Sequence, residues 1–189
     1  MTKSLIMVIL LLIISLNAVD SASIEKKLQE ISDFSGELIQ TIPSPMGEKS
    51  DTGKIYFSRP NVKIELLGEN ILIKDDLLYL YEDSSLDGMI TSADEMVIFT
   101  ANPISGLSKN YKVEVTDNQD NWRIIANAKE DMNVMKYIID IDKQKKVPVY
   151  LEKHDITGQI TIFKIDNIRF DKVDDVRFEM PDDINFESY

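Results

Sequence analysis

Short runs in which apolar and polar residues alternate recur along most of this chain, and they constrain its fold more than any other feature. Apolar residues occupy every second position at 62–66, 111–115, 147–151 and 176–180. Successive side chains of a β-strand point to opposite faces of a sheet, so this period predicts strands. Further apolar runs are centred on Ile71, Leu78, Trp122, Ile138 and Ile162. Together the runs predict about ten or eleven strands in an antiparallel meander that closes into a barrel or half-barrel.

The segment before Phe34 has a different period. Ile24, Leu28 and Ile31 recur at helical spacing, and Ser23 is a suitable N-cap residue with Glu25 in the first turn behind it. We therefore predict a short helix that covers part of an otherwise β-rich chain. After the strand that follows it, residues 43–53 contain Pro, Ser, Gly and Asp, and they are predicted to form a turn-rich connection.

One internal segment does not alternate. Residues 94–101 place Met96, Val97, Ile98 and Phe99 next to one another, which makes the segment apolar on too many sides for an exposed strand. A short helix that ends before Asn102-Pro103 would fit, and it would act as a plug or lid over an opening of the barrel. A buried strand fits equally well, and the sequence leaves both possibilities open.

The first 22 residues are predicted to be a signal peptide. Lys3 precedes an almost unbroken apolar run at 5–16, and small residues suited to cleavage follow within 18–23. A helix that spans a bilayer needs roughly 20 apolar residues, so this run is short for a membrane anchor, although an uncleaved anchor is the alternative. Residues 23–189 are then expected to form one exported domain.

The net charge and the absence of cysteine limit which cellular compartment and which binding partners we expect. The chain has no cysteine, so an exported domain must be stabilised by its core alone, and this favours a bacterial periplasm over a eukaryotic secretory route. Its formal net charge is −12, which repels nucleic-acid phosphates and anionic lipid headgroups. We expect no nucleic-acid partner.

Signals of catalysis are weak. His154 is the only histidine, and the acidic pairs at 75–76, 174–175 and 182–183 lie where turns are predicted. The stretch 117–120 lacks the alternate ligands and the closing Glu of a calcium loop. No nucleophile or phosphate-binding motif is present. The sequence therefore predicts a protein that is not an enzyme and that needs no metal or cofactor.

Four motifs occur in an order that resembles the periplasmic lipoprotein carrier family, the LolA-like proteins. A strand that ends in Gln spans Phe34–Gln40, and a strand that leads into Arg-Pro spans Gly53–Asn61. An aromatic-rich strand at Leu78–Tyr81 and the pattern at Val176–Pro181 complete the set. The chain departs from the family where Tyr56 replaces a tryptophan, where Lys63-Ile64-Glu65 replaces an aromatic-basic run, and where the turn at 75–76 has no Gly.

The resemblance implies an incomplete antiparallel half-barrel, covered by short helices, whose apolar interior takes up the acyl chains of lipoproteins. It also implies that Arg59 locks a lid until cargo is loaded. The candidate residues of the cargo cavity are Tyr56, Ile64, Leu66, Ile73, Leu78, Leu80, Met96, Ile98 and Phe99. The implied partners of this monomer are lipidated lipoproteins, an inner-membrane ABC-type release complex and an outer-membrane acceptor.

Two other functions remain open at this point. One is an exported lipid-binding or sensor module with the same half-barrel, although such sensors carry a second domain for which this chain has no room. The other is an exported structural or inhibitory β-protein with a solid core, which would have no saturable apolar site.

Overall fold

A computed structural model describes residues 21–75, 77–82, 85–92, 103–181 and 183–188. Two α-helices, α1 (Ser21–Gln29) and α2 (Pro103–Asn110), and a 3-10 helix at Asp175–Phe178 accompany the strands. The strands are β1 (Phe34–Ser44), β2 (Gly47–Ser58), β3 (Asn61–Leu66), β4 (Glu69–Lys74), β5 (Leu77–Glu82), β6 (Asp87–Ser92), β7 (Tyr111–Asp117), β8 (Asn121–Ala128), β9 (Val134–Asp142), β10 (Pro148–Asp155), β11 (Ile160–Arg169) and β12 (Asn185–Ser188).

These strands form one open sheet in the order β12-β6-β5-β4-β3-β2-β1-β11-β10-β9-β8-β7. All neighbours pair antiparallel except β12, which runs parallel to β6. The terminal strands β12 and β7 do not pair with each other, so the sheet stays open. This confirms the predicted incomplete half-barrel, with twelve strands in the described part of the chain.

One face of the sheet carries the main core, and we call it the helix face because both α-helices pack there. Ile24 and Leu28 of α1 and Ile104 and Leu107 of α2 belong to the same buried cluster as residues of ten strands, β6 and β12 being the exceptions. Ile24 and Leu28 of the predicted helical stripe lie in α1, whereas Ile31 follows the last helical residue, Gln29, and packs against the same cluster. Alternation along the strands therefore supplies one continuous apolar surface, and the helices cover it.

The opposite face of β2–β6 is covered by the C-terminal segment, and we call it the tail face. Leu72, Tyr79 and Tyr81 form a second buried cluster there with Val173 and Phe178. Phe186 of β12 packs edge-on against Tyr79 and Tyr81, with ring centroids 5.4 and 6.0 Å apart. This half of the sheet is thus enclosed between two apolar layers.

Three local predictions need correction. Residues 43–53 do not form a turn-rich connection, because β1 and β2 pair without interruption as far as Ser44 opposite Gly47. The run at 176–180 is not a strand, because the side chain of Asp174 accepts a hydrogen bond from the Val176 amide and starts the 3-10 helix. Ser23, the predicted cap, lies inside α1, which already includes Ser21.

Two predicted segments lie outside the described residues: the apolar run of the signal peptide, within residues 1–20, and the candidate lid at 94–101. Among the residues described, no helix has the length and apolar character needed to cross a membrane.

Candidate functional site

Arg59 connects the sheet to the helix that covers it. It lies between β2 and β3, and its Nη2 donates a 2.6 Å hydrogen bond to the carbonyl oxygen of Leu28 in α1. The guanidinium carbon lies 6.0 Å from the centre of the Phe57 ring. Burial lowers the pKa of Arg59. The Leu28 carbonyl also accepts a 3.3 Å hydrogen bond from the Ile31 amide just beyond the helix, and the guanidinium adds a second, shorter one that holds the C-terminal end of α1.

One nitrogen of the Arg59 guanidinium has no hydrogen-bond acceptor among the described residues. This nitrogen, Nε, is also buried. A buried donor without a partner costs free energy, of the order of 1–3 kcal/mol. The contact between Arg59 and α1 is therefore less stable than a fully satisfied one.

Glu25 connects α1 to α2. The residue is only 9% exposed, and its carboxylate accepts hydrogen bonds from the Ser105 backbone amide at 2.8 Å and the Ser105 hydroxyl at 2.5 Å. Ser105 is the third residue of α2, where backbone amides have no partner within the helix. A negative charge at this end also interacts favourably with the helix dipole. Arg59 and Glu25 thus join β2, α1 and α2 into one connected cover.

The residues predicted for the cargo cavity lie on both faces. Ile64, Ile73 and Leu78 are buried in the core of the helix face, and Leu66 and Leu80 pack against it. Tyr56 lies on the tail face, where Arg177 is 5.0 Å from its ring centre. The reason is the strand period, since Ile55 and Phe57 on either side of Tyr56 point to the helix face. The other three candidates, Met96, Ile98 and Phe99, are outside the described residues.

Sequence reasoning missed two parts of this arrangement. Glu25 was interpreted as a first-turn residue of α1, although its spacing of three from Leu28 places it at the edge of the apolar stripe and could have indicated burial. The Leu28 carbonyl gives no signal in the sequence, because every residue carries one.

A polar network lies on the face of β8–β10 opposite the helices. Arg123 forms two hydrogen bonds with the Asp140 carboxylate, at 2.7 and 2.6 Å. Glu152 accepts a hydrogen bond from the Tyr150 hydroxyl at 2.5 Å and pairs with His154 at the same distance. The lone histidine is therefore one half of a surface pair, and no cluster of potential metal ligands occurs in the part of the chain that the structure describes.

This network shifts three pKa values. The hydrogen bond to Asp140 and the charge of that carboxylate raise the pKa of Arg123. Burial and the hydrogen bond to Glu152 raise the pKa of Tyr150 to about 12. Burial alone would raise the pKa of Glu152, but hydrogen bonds from Tyr150 and His154, with the charges of His154 and Lys136, outweigh it and place that pKa below its ordinary value. The network therefore favours an ionised Glu152 beside a neutral Tyr150.

Removing the Glu25 carboxylate should loosen the cover. We expect Glu25→Ala to lower the free energy of unfolding by about 2 kcal/mol, because two donors of Ser105 lose a charged acceptor. Urea unfolding followed through Trp122 measures this, since Lys27 of α1 lies 4.8 Å from the centre of that ring. Lys26→Ala, at an exposed neighbouring position in α1, is the control and should change stability by less than about 0.5 kcal/mol. Equal losses in the two variants would contradict the role of Glu25.

The Glu152 pKa gives a pH-dependent prediction. A folded-state pKa below the unfolded value means that the ionised carboxylate stabilises the fold above the unfolded pKa, and that this contribution is lost as the pH falls through the folded pKa. The stability difference between the unmodified protein and Glu152→Gln should therefore shrink as the pH is lowered from about 6 to about 3. Urea titrations across this range measure it. A constant difference would show that the ionisation of Glu152 does not contribute.

No family model matches the chain, and no curated protein matches it. Several solved structures are similar to the chain. An uncharacterised conserved protein from Thermus thermophilus aligns with a TM-score of 0.60 at 9% identity, over 89% of this chain and 99% of that one. The Pseudomonas aeruginosa MucB structure solved with MucA aligns at 0.53 and 12% identity, over 88% of this chain and 63% of that one.

A Nitrosomonas europaea protein described as a LolA superfamily member aligns at 0.49 and 12% identity, over 86% of this chain and 99% of that one. At identities of 9% and 12%, the Thermus and MucB likenesses concern the fold alone. The chain therefore shares its fold with the Thermus protein and, over 63% of that chain, with MucB.

Proposed function

We propose that this protein is a periplasmic carrier that binds the acyl chains of lipoproteins released from the inner membrane and delivers them to the outer membrane. The observation that carries the proposal is the hydrogen bond from Arg59 to the Leu28 carbonyl. It ties α1, which covers the apolar face of an open sheet, to the turn between β2 and β3.

The helix face supplies the apolar surface for such a cargo. If α1 and α2 move away together, Ile24, Leu28, Ile104 and Leu107 and the strand residues beneath them become available to acyl chains. Burial of an acyl chain is favourable by roughly 0.8 kcal/mol per methylene group, so binding is strong even when the chains are only partly covered. Release is then the difficult step.

Closure of α1 and α2 over the sheet favours release of the bound acyl chains. Because closure and cargo compete for the same apolar face, the free energy of closure is subtracted from the affinity for cargo. The contacts of Arg59 and Glu25 contribute to this free energy of closure. No cofactor, metal or covalent step is required.

In this proposal the donor of cargo is an inner-membrane ABC-type release complex, and the recipient is an outer-membrane acceptor. Export through the predicted signal peptide would place the protein in the periplasm between the two membranes. The alternative is an exported lipid-binding or sensor module with the same half-barrel, and the MucB likeness bears on it because that protein was solved in complex with a protein partner, MucA. Transfer to a second membrane distinguishes a carrier from such a sensor.

The test is recovery of cargo. The exported protein, purified from its native periplasm, should carry a triacylated lipoprotein that intact-mass spectrometry identifies, and it should pass this cargo to acceptor vesicles. A fluorescent fatty acid should bind saturably and be displaced by acylated lipoprotein. Absence of a saturable site would show a solid core and reject the carrier function. Binding without transfer would favour the sensor.

A further inference from the structure

The hairpin turns at the two ends of the sheet differ in character. Antiparallel pairing brings five connections to the same end, which we call the hairpin end: β1–β2, β3–β4, β5–β6, β8–β9 and β10–β11. Four of them carry one exposed large apolar side chain each: Met46 (99% exposed), Leu67 (62%), Leu86 (63%) and Ile156 (59%). The fifth, β8–β9, carries none. By contrast, the turns described at the other end, at 59–60, 75, 118–120 and 143–146, consist of Arg, Pro, Asp, Asn, Gln and Lys. Exposed apolar turns are therefore concentrated at the hairpin end.

Leu67 is exposed in a backbone conformation that its side chain disfavours. It forms a two-residue turn with Gly68, and the φ angles of the two residues are 57° and 84°. Such turns prefer Asn, Asp or Gly at the first position, because a bulky side chain is strained at positive φ. A strained and exposed leucine gains little from packing within its own chain. This combination points to a contact with another molecule.

The charge around these apolar residues selects the kind of partner. Each of the four has a carboxylate within two positions along the chain, in the pairs Met46 and Glu48, Leu67 and Glu69, Leu86 and Asp87, and Ile156 and Asp155. The hairpin end therefore presents apolar side chains beside acidic ones. A complementary surface has apolar side chains beside basic ones.

A depression of about 540 Å³ adjoins the Leu67 and Leu86 turns. Its lining includes the carboxylates of Glu69, Glu82 and Asp87 and the side chain of Tyr81. Tyr81 is only 5% exposed, and its hydroxyl has no hydrogen-bond partner within the described ranges. A basic side chain that enters this depression would meet carboxylates, and the apolar residues on either side would contact its neighbours.

We propose that the hairpin end is a docking surface for a protein segment in which lysine or arginine residues flank apolar ones. A second copy of this chain fits poorly, because it would bring carboxylates against carboxylates. An anionic membrane is repelled for the same reason. The proposal concerns a surface distinct from the helix face, and it holds whether or not the protein carries acyl chains.

The test uses a synthetic helical peptide of leucine and lysine, with a leucine and glutamate peptide of the same pattern as its counterpart. The exported protein should bind the first peptide saturably and the second not at all, as measured by fluorescence anisotropy. A fourfold variant with serine at 46, 67, 86 and 156 keeps the net charge, and we expect it to bind about tenfold more weakly. This comparison separates apolar docking from general attraction between charges.

A matched control changes exposed apolar residues away from the hairpin end. Leu77→Ser with Val176→Ser removes two such side chains, at 40% and 59% exposure, without altering charge. It should bind the leucine and lysine peptide as the unmodified protein does. Equal binding by the fourfold variant and this control would overturn the proposal. Binding to neutral vesicles that depends on the same four residues would also overturn it, in favour of a membrane.

Leu67→Asn separates docking from folding. Asn tolerates positive φ, so this variant should raise the melting temperature while it weakens peptide binding. A purely structural role for Leu67 predicts no loss of binding when stability rises. Binding that is unchanged in a stabilised Leu67→Asn protein would contradict the docking role of this turn.

Discussion

Replacing Arg59 by leucine is expected to leave the chain folded and to slow cargo transfer by a factor of about 10 to 100. The hydrogen bond to the Leu28 carbonyl involves a charged donor, and such bonds contribute about 1.5–3 kcal/mol. Without it the closed cover competes less well with cargo, and cargo is retained longer by the corresponding factor. Loss of a partly buried guanidinium also removes some desolvation cost, which limits the loss of stability.

Transfer of a fluorescent acylated lipoprotein to acceptor vesicles measures this effect, and hydrogen exchange of the α1 amides should accelerate in the same variant. Arg177→Leu is the matched control, because it removes an arginine that contacts an aromatic ring, Tyr56, on the tail face. It should transfer cargo at the original rate. A folded Arg59→Leu protein that transfers normally would remove Arg59 from the mechanism and leave the peptide-docking surface unaffected.

Replacing Gly53 by alanine is expected to lower the free energy of unfolding by about 3 kcal/mol, the upper end of the usual range for overpacking. An added Cβ would lie 2.2 Å from the carbonyl oxygen of Glu65 and 3.1 Å from the Cα of Leu66. Both are backbone atoms, so no change of rotamer can relieve the clash, and β2 and β3 must separate at this point. Urea unfolding followed by circular dichroism measures the loss.

Thr52→Ala is the control for Gly53→Ala. Thr52 precedes Gly53 on the same strand and is exposed, so its truncation should change stability by less than about 0.5 kcal/mol. A loss that small in Gly53→Ala would mean that β3 does not approach β2 as closely as the structure indicates. The prediction also tests the long β1–β2 hairpin, since Gly53 pairs with Leu38 within it.

The errors of the sequence prediction share a physical origin. Residues 43–53 are rich in turn-forming residues, yet they pair along most of their length because two adjacent strands satisfy each other's backbone groups. Conversely, the alternation at 176–180 has the period of a strand but forms a 3-10 helix at Asp175–Phe178, because Asp174 caps its amides. Over four or five residues, a local hydrogen bond or a neighbouring strand decides the structure more strongly than the pattern does.

The candidate site was predictable only in part. Arg59 was identified through the family resemblance, and the structure places it against the covering helix. Its acceptor is a backbone carbonyl, and Glu25 reaches a residue 80 positions away in sequence. Neither contact follows from local spacing, because long-range hydrogen bonds depend on how the elements pack.

By itself, the sequence determined that this chain forms a β-sheet with one continuous apolar face, because alternation fixes the side of a strand to which each side chain points. The tertiary structure alone decided what covers each face. Helices α1 and α2 lie on one side, and the C-terminal segment lies on the other with β12 parallel to β6. It also decided that Arg59 joins α1 to the sheet and that Glu25 joins α1 to α2, since both contacts require segments distant in sequence to meet.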